Sequence, residues 1–344
     1  MKTSNFNIPV NLLAVLAGGV ISFFIFSSHA PSILNKAEAT TVVQAPATRS
    51  ETVCSWHIMR ETRYKFIRPI LYREKECESE IYSSLKASLG NYIEDCKTSG
   101  QLISSSVYVR NLTNGDWIDC NPQLTFNPGS LAKVPLLLTY LHLAETDHSI
   151  LDSKVKYDKL PDERIPTQTF ENKSIKLGNT YTVKELLEYM SVYSDNSATF
   201  LLNSMTNPEN YKTTFYELGV PVPSMKDRGY EISAKDYSRF LWVLYNSSYV
   251  SRPLSEFGCS LLSKAEFRQG LLKNIPDTIK VMHKFGEFGN VAAGIHQLHE
   301  SAVIYLAGKP YEITVMTRGK NKEVLPGIIS HLSDMVFEHM KTES

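Results

Sequence analysis

Ser130 and Lys133 are the first residues whose types and spacing could do chemistry. They lie in the stretch Phe126 to Leu138, where a short polar turn runs directly into an apolar segment that we predict to be a helix. Residues three apart share a helix face, so the Lys133 amine could take the Ser130 proton, as a serine nucleophile requires. Ser-x-x-Lys is a common pattern, and Ser83-x-x-Lys86 also matches it, so Ser130 needs partners elsewhere.

Two further short motifs follow in the chain, Ser194-Asp195-Asn196 and Lys284-Phe285-Gly286. Taken singly, each motif has an ordinary structural explanation: a helix cap, turn chemistry and an exposed edge-strand lysine. Lys176-Leu177-Gly178 resembles the third motif but precedes the second and falls in a predicted loop, so we set it aside. The ordered set of three predicts one catalytic site.

Periodicity and turn signals predict the elements that must position these motifs. The predicted helices cover 78–96, 130–145, a segment starting at the Thr182/Glu185 capping box, 200–205, segments starting at the Ser233/Asp236 and Ser263/Glu266 caps, and 327–340. The predicted strands are 107–110 and 117–119, joined by Asn114-Gly115, and then 279–283, 297–306 and 311–317.

This order of elements predicts an α+β fold. Early and late strands would form one antiparallel sheet flanked by the N- and C-terminal helices, with a large all-helical insertion at about 130–275. Ser130 would lie at the seam between the sheet and the insertion.

The N-terminal part of the chain has a different composition. Residues 9–27 are uncharged and mostly apolar, so we expect residues 1–27 to act as a membrane anchor or a signal peptide, with an anchor favoured because the apolar run is longer than a usual signal core. Residues 28–53 would be a flexible linker, and 54–344 the folded domain. Either reading places this domain outside the cytoplasm, in the cell envelope or secreted to the periplasm.

Composition excludes some classes of function. Lys plus Arg and Asp plus Glu both number 36, which gives no support to a nucleic-acid partner. The five cysteines show no metal-binding spacing, and their pairing and the oligomeric state stay open. Serine acylation of the kind that the three motifs predict requires neither a metal nor another cofactor.

The three motifs resemble those of the class A β-lactamase family, within the penicillin-recognising serine enzymes. The similarity covers about residues 78–340. Phe126 to Glu145 looks like the nucleophile helix of that family, Tyr181 to Leu202 like its Ser-Asp-Asn region, and Gly308 to Gly319 like its last hairpin.

The resemblance implies a role for each matching residue. Ser130 would form an acyl-enzyme, with Lys133 as its base and Ser194 as the relay of a proton to the leaving nitrogen. Asn196 would hold the amide side chain of the substrate. Lys284, followed by Gly286, would attract the substrate carboxylate and help to keep Lys133 neutral. Backbone N–H groups of Ser130 and Glu287 would form the oxyanion hole.

Two departures from the family pattern bear on function. Phe285 replaces a Thr or Ser whose hydroxyl would bind the substrate carboxylate, and the strand at 297–306 has no compensating arginine. The Glu-x-x-Leu-Asn loop, whose glutamate activates the deacylating water, is missing. Glu231 follows Ser194 at a separation along the chain similar to that of the family's glutamate. Because the Leu-Asn context is missing, we interpret Glu231 as a loop residue before a helix cap. Acylation would then be followed by slow deacylation.

Three functions stay open on this basis. The first is a β-lactamase-like serine hydrolase that opens β-lactam amides. The second is a D,D-peptidase or penicillin-binding protein acting on D-Ala-D-Ala-type cell-wall peptide. The third is a non-catalytic binding descendant of the fold.

Overall fold

The computed structural model of this chain describes residues 54–160, 173–224, 229–290 and 293–342. The predicted anchor (1–27) and linker (28–53) lie outside these residues. No helix in the described ranges combines the length and the apolar composition needed to cross a membrane.

A five-stranded antiparallel sheet organises the domain. Its strands are β3 (Ser104–Asn111), β4 (Trp117–Cys120), β7 (Val281–Asn290), β8 (Ile295–Ile304) and β9 (Tyr311–Gly319), and their order is β4-β3-β9-β8-β7. Strands from the two ends of the sequence therefore meet at the β3–β9 pair, and β7 is an edge strand. The predicted α+β fold is confirmed.

Alternating side chains build a core on each face of the sheet. Val107 and Val109 of β3 point into a cluster with α1 (Ser83–Thr98) and α8 (Leu325–Thr342), whereas Tyr108 points into the cluster formed with the helical insertion. Side chains along a strand alternate between its two faces, and here both faces are covered. This explains why β9 is buried along almost its whole length.

The described part of the predicted insertion contains six α-helices: α2 (Lys133–Thr146), α3 (Val183–Val192), α4 (Asn196–Met205), α5 (Pro208–Glu217), α6 (Ala234–Tyr245) and α7 (Arg252–Leu262). Thr182 and Glu185 form the predicted capping box at the start of α3. Ser233 likewise caps α6 by accepting a hydrogen bond from the Asp236 N–H. A short hairpin of β5 (Lys154–Lys156) and β6 (Thr180–Thr182) precedes α3, so the insertion is mainly helical and not all-helical as predicted.

The predicted helix start at Ser263 is wrong. Ser263 follows the end of α7, where its N–H donates to the Cys259 carbonyl, and residues 263–280 contain turns but no helix. The Ser263/Glu266 pattern, which resembles a capping box at a helix start, therefore lies at the C-terminal end of α7. The actual start of α7 is marked by Pro253, which is favoured in the first turn because it needs no N–H partner there.

A second hairpin, which the sequence pattern did not predict, precedes α1. Its strands are β1 (Trp56–Arg60) and β2 (Ile70–Lys75), paired antiparallel. The Cys54–Cys77 disulfide joins the two ends of this segment, and Cys96, Cys120 and Cys259 are free thiols. The inner side of β2 carries Leu71 and Tyr72, which are buried against the domain.

Candidate active site

The turn before α2 is what places Ser130. Residues Gly129–Ala132 form a 3-10 turn, and the α-helix begins only at Lys133. In a 3-10 turn residues three apart are eclipsed, which puts Ser130 and Lys133 on the same side. Gly129 has φ +52, a left-handed conformation that glycine adopts without strain.

Strand β7 approaches this turn so closely that two positions admit only glycine. A Cβ on Gly286 would collide with the Pro128 carbonyl oxygen and would lie 2.6 Å from the Leu131 nitrogen. A Cβ on Gly129 would lie 3.2 Å from the backbone nitrogen of Glu287. The backbone of Glu287 therefore lies directly beside the turn that carries Ser130, as the predicted oxyanion hole requires.

Lys133 is enclosed by the Ser-Asp-Asn motif. The residue is 5% exposed. Its amine donates to the Ser194 carbonyl, to Ser194 Oγ at 3.0 Å and to Asn196 Oδ1 at 2.8 Å. Burial lowers the pKa of Lys133 to about 7, against the opposing influence of Asp195 and Glu287. A neutral amine keeps two N–H groups for carbonyl oxygens and gains a lone pair that can accept a hydroxyl proton.

Lys284 contacts the same hydroxyl as Lys133. Its amine donates to Ser194 Oγ at 2.8 Å and to the Phe285 carbonyl at 2.9 Å, and the residue is 1% exposed. Burial lowers the pKa of Lys284 well below its ordinary value, and the positive charge of Lys133 lowers it further. Ser194 Oγ is thus bracketed by two amines that both resist protonation, an arrangement suited to proton relay.

Ser194 reaches this position through an unusual backbone. Its φ is 55, in the left-handed region that few residues other than glycine occupy. Asp195 fixes the following turn, because its carboxylate accepts hydrogen bonds from the Ser197 N–H at 2.9 Å, the Ile175 N–H at 2.9 Å and the Ser174 hydroxyl at 2.8 Å.

The structure brings the predicted site residues together. Ser130, Lys133, Ser194, Asn196, Lys284, Gly286 and Glu287 all meet where β7 faces the start of α2. The Ser130 hydroxyl makes no hydrogen bond within the described part of the chain. In the absence of substrate such catalytic bonds are often long or poorly aligned.

Phe285 lies beside the amine of Lys284. Its ring is buried and stacks on Phe267 with centroids 4.4 Å apart, and the Lys284 nitrogen is 4.3 Å from its centroid. An aromatic face attracts a cation but cannot donate a hydrogen bond to a carboxylate. Lys284 therefore lacks the hydroxyl that a Thr or Ser at position 285 would provide for binding an anion.

The carboxylate of Glu231 is engaged in hydrogen bonds and is not free to act as a base. Its carboxylate accepts hydrogen bonds from Thr125 Oγ1 at 2.7 Å and from Arg318 at 3.0 Å. The next residue, Ile232, pairs with Phe126 across an isolated β-bridge. Glu231 is the sole carboxylate in the described residues that connect α5 to α6 (218–224 and 229–233).

Two buried side chains that sequence reasoning missed support the Ser130 turn. The Tyr237 hydroxyl donates to the Leu131 carbonyl at 3.0 Å, and the His299 ring bonds the Asn127 carbonyl at 3.0 Å. Burial lowers the pKa of His299 to about 3, so the ring is neutral and donates from Nε2. Neither residue belongs to a motif, and apolar periodicity does not distinguish it from its neighbours.

No group of three or more His, Cys, Asp and Glu side chains in the described ranges is arranged to hold a metal ion. The site instead combines a hydroxyl, two buried amines, a relay serine and paired backbone donors. Such a set can activate a serine, stabilise an oxyanion and protonate a leaving group.

Comparisons with known proteins agree with this geometry. The chain resembles the solved structure of PBP-A at TM-score 0.64 and 16% identity, covering 76% of this chain and 97% of PBP-A. A class A β-lactamase from Bacteroides cellulosilyticus matches at TM-score 0.64 and 18% identity over 75% of this chain and 99% of that one. The TLA-1 extended-spectrum β-lactamase matches at TM-score 0.64 and 18% identity, over 75% and 98%.

None of the curated protein sequences compared with this chain matches it significantly. A family model, described as the beta-lactamase enzyme family, matches residues 85–340. This match spans well over half of the sequence and includes every residue of the candidate site. The chain belongs to the beta-lactamase enzyme family.

Proposed function

We propose that this chain is an exported serine acyl-enzyme that opens β-lactam amides through Ser130 and releases the product slowly. The observation that carries the proposal is the hydrogen-bonded set Lys133, Ser194 and Lys284 beside the Ser130 turn. The related PBP-A supports it, because a mutant of that protein is described as an acyl-enzyme complex with penicillin G.

The proposed reaction uses only groups of this chain. Ser130 Oγ attacks the amide carbonyl while its proton passes to neutral Lys133, and the oxyanion is held by the N–H groups of Ser130 and Glu287. The C–N bond then breaks, and Ser194 delivers its hydroxyl proton to the departing nitrogen while Lys133 passes the proton that it took from Ser130 to Ser194 Oγ. Water must afterwards hydrolyse the ester on Ser130, which restores the hydroxyl and releases the acid.

Deacylation is the step for which the described residues offer least. Glu231 is already engaged by Thr125 and Arg318, and losing a general base typically costs about 10²–10⁴ in rate. We therefore expect a long-lived penicillin adduct and slow turnover of a chromogenic β-lactam. Intact-protein mass spectrometry over time, run beside the chromogenic assay, measures both.

A second candidate is a D,D-peptidase that acts on D-Ala-D-Ala-type peptide. The hydrogen bonds that engage Glu231 favour this candidate. Slow release of a β-lactam adduct argues against an efficient β-lactamase but is compatible with a peptide as the substrate. Release of D-alanine from an acyl-D-Ala-D-Ala peptide would support this candidate, and its absence together with measurable β-lactam hydrolysis would support the first. A protein that forms no adduct with any β-lactam would contradict both.

The N-terminal segment and the disulfide support the exported location. Disulfides such as Cys54–Cys77 are typical of oxidising compartments outside the cytoplasm. The uncharged run at residues 9–27 would direct the chain across the membrane or anchor it there. Protease accessibility of the domain in intact cells, compared with lysed cells, tests this part of the proposal.

The pKa of Lys133 predicts the pH dependence of acylation. Its value of about 7 means that the basic, neutral amine becomes the major form as the pH rises through neutrality. The acylation rate should increase between about pH 6 and pH 8 and then level off. Stopped-flow measurement with a chromogenic β-lactam gives the profile. A rate that keeps rising toward the ordinary pKa of lysine, about 10.4, would contradict the lowered pKa.

Gly286→Ala should impair acylation through backbone displacement. The new Cβ would collide with the Pro128 carbonyl and the Leu131 nitrogen, so β7 or the Ser130 turn must move. A misplacement of this kind can cost about 10²-fold in rate. Gly289→Ala, on the same strand, is the matched control because its Cβ would meet nothing closer than 3.7 Å. Equal acylation rates for the two variants would contradict the tight approach.

A further inference from the structure

The hairpin that precedes α1 carries an uneven distribution of charge. Although the whole chain is formally neutral, residues 60–73 contain five cations and a single acid, Glu61. The cations are Arg60, Arg63, Lys65, Arg68 and Arg73. We call residues 56–75 the basic hairpin and its connecting residues 61–69 the hairpin tip.

Most of these cations have no acidic partner. Arg63 pairs with Glu61 and Glu217, but in the described ranges none of the other four cations forms an ion pair. Arg60 and Arg68 donate instead to carbonyl oxygens within the hairpin tip. Lys65 contacts the Phe66 ring, with its nitrogen 5.2 Å from the ring centroid. The positive charge of the basic hairpin is therefore available to an external anion.

The same segment exposes large apolar side chains. Six of the fourteen exposed large apolar side chains of the described residues belong to it, and Phe66 at the tip is 87% exposed. The six are Trp56, Ile58, Tyr64, Phe66, Ile67 and Ile70. Exposed apolar groups scattered singly are normal, whereas a cluster marks an interaction surface.

Strand register interleaves the two kinds of side chain on one face. Ile58 lies opposite Arg73, and Arg60 lies opposite Ile70. Directly paired residues project to the same side of a hairpin, and all four are exposed. The inner side chains Leu71 and Tyr72 are buried, so the outward face alternates apolar and cationic groups.

This surface lies apart from the catalytic centre. Arg63 of the tip bonds His142 near the C-terminal end of α2, whereas Ser130 precedes the N-terminal end of that helix. A helix the length of α2, Lys133–Thr146, spans about 20 Å. The basic hairpin also lies outside residues 85–340, which match the family model, so the family reaction does not account for it.

We infer that the basic hairpin docks on an anionic lipid surface, with Phe66 and Ile67 at the apolar boundary and the unpaired cations at the headgroups. Interfacial segments combine these two features, and basic residues are attracted to anionic lipid. The sequence itself offers a reason for proximity to a membrane, because only residues 28–53 separate the apolar run at residues 9–27 from Cys54. The inference rests on the proposed membrane association, not on acylation.

Lipid quenching at the tip tests this inference in the full chain. A Phe66→Cys variant carrying an environment-sensitive dye is mixed with vesicles that contain spin-labelled lipid and are either zwitterionic or part anionic. Leu177→Cys, at another exposed apolar position, is the matched control, and dye on the unmodified chain gives the background from native thiols. Lys65→Glu with Arg73→Glu in the Phe66→Cys chain tests the role of charge, and Lys176→Glu is its control.

We expect severalfold stronger quenching at position 66 than at position 177. The quenching should occur only with anionic vesicles and should be reduced by salt or by the double charge reversal. Absent quenching at 66, or equal quenching in zwitterionic vesicles, would overturn the inference. Concentration-dependent burial of the dye without lipid quenching would assign the surface to a second copy of this chain and would also overturn it. Penicillin labelling of Ser130 in the same samples should be the same for all variants, which separates this outcome from the proposed function.

Discussion

Ser130→Ala should abolish the covalent penicillin adduct, since the variant keeps the fold but has no nucleophile. Ser130 is half-buried at the start of a buried helix, and loss of its hydroxyl removes no hydrogen bond found in the described residues. The expected result is complete loss of the mass increase in intact-protein mass spectrometry, with an unchanged unfolding temperature.

The chain contains a matched control for this substitution. Ser83 and Lys86 repeat the Ser-x-x-Lys spacing at the start of α1, but Ser83 is exposed and Lys86 pairs with Glu78 on the surface. Ser83→Ala should label as fast as the unmodified protein. Persistent labelling of Ser130→Ala, with the adduct mapped to another residue, would contradict the assignment of the nucleophile.

Lys133→Met should slow acylation by about 10²–10⁴-fold, the usual contribution of a general base. Methionine fills nearly the same space but cannot accept the proton of Ser130. It also removes the hydrogen bonds from Lys133 to the Ser194 carbonyl and to Asn196 Oδ1, and the loss of two such bonds should lower the stability by about 1–3 kcal/mol. The rate is measured by stopped flow and the stability by thermal unfolding.

The pH profile separates a lost base from a merely loosened site. In the Lys133→Met variant the acylation rate should fall, and its rise through about pH 7 should also disappear. Lys86→Met is the control, because it removes an exposed amine at the same motif position in α1. If Lys133→Met were slow but kept the original pH dependence, another group would have to be the base.

The sequence predicted the parts of this fold that local chemistry determines. Asn114-Gly115 joins β3 and β4, and Thr182 with Glu185 caps α3, because these turns and caps depend on a few adjacent residues. The basic hairpin escaped prediction because no short turn motif joins its strands and its exposed face mixes cations with apolar groups. Helix α5 escaped as well, although Asn207 before Pro208 is a recognisable start signal.

The site shows the same division between local and tertiary information. Spacing alone placed Ser130 and Lys133 on one side of a turn. It could not show that the amines of Lys133 and Lys284 meet at Ser194 Oγ, because their distances depend on how α2, the Ser-Asp-Asn turn and β7 pack. Nor could it show that Phe285 stacks on Phe267, a contact between a loop and an edge strand.

The left-handed backbone of Ser194 sets catalysis against thermodynamic stability. A residue held in this conformation typically costs about 1–3 kcal/mol, a penalty that glycine would escape. Glycine, however, has no hydroxyl to place between the two amines. A sequence selected for stability alone would therefore put glycine at position 194, and the retained serine marks a position where the energy of the folded state is raised for the sake of proton transfer.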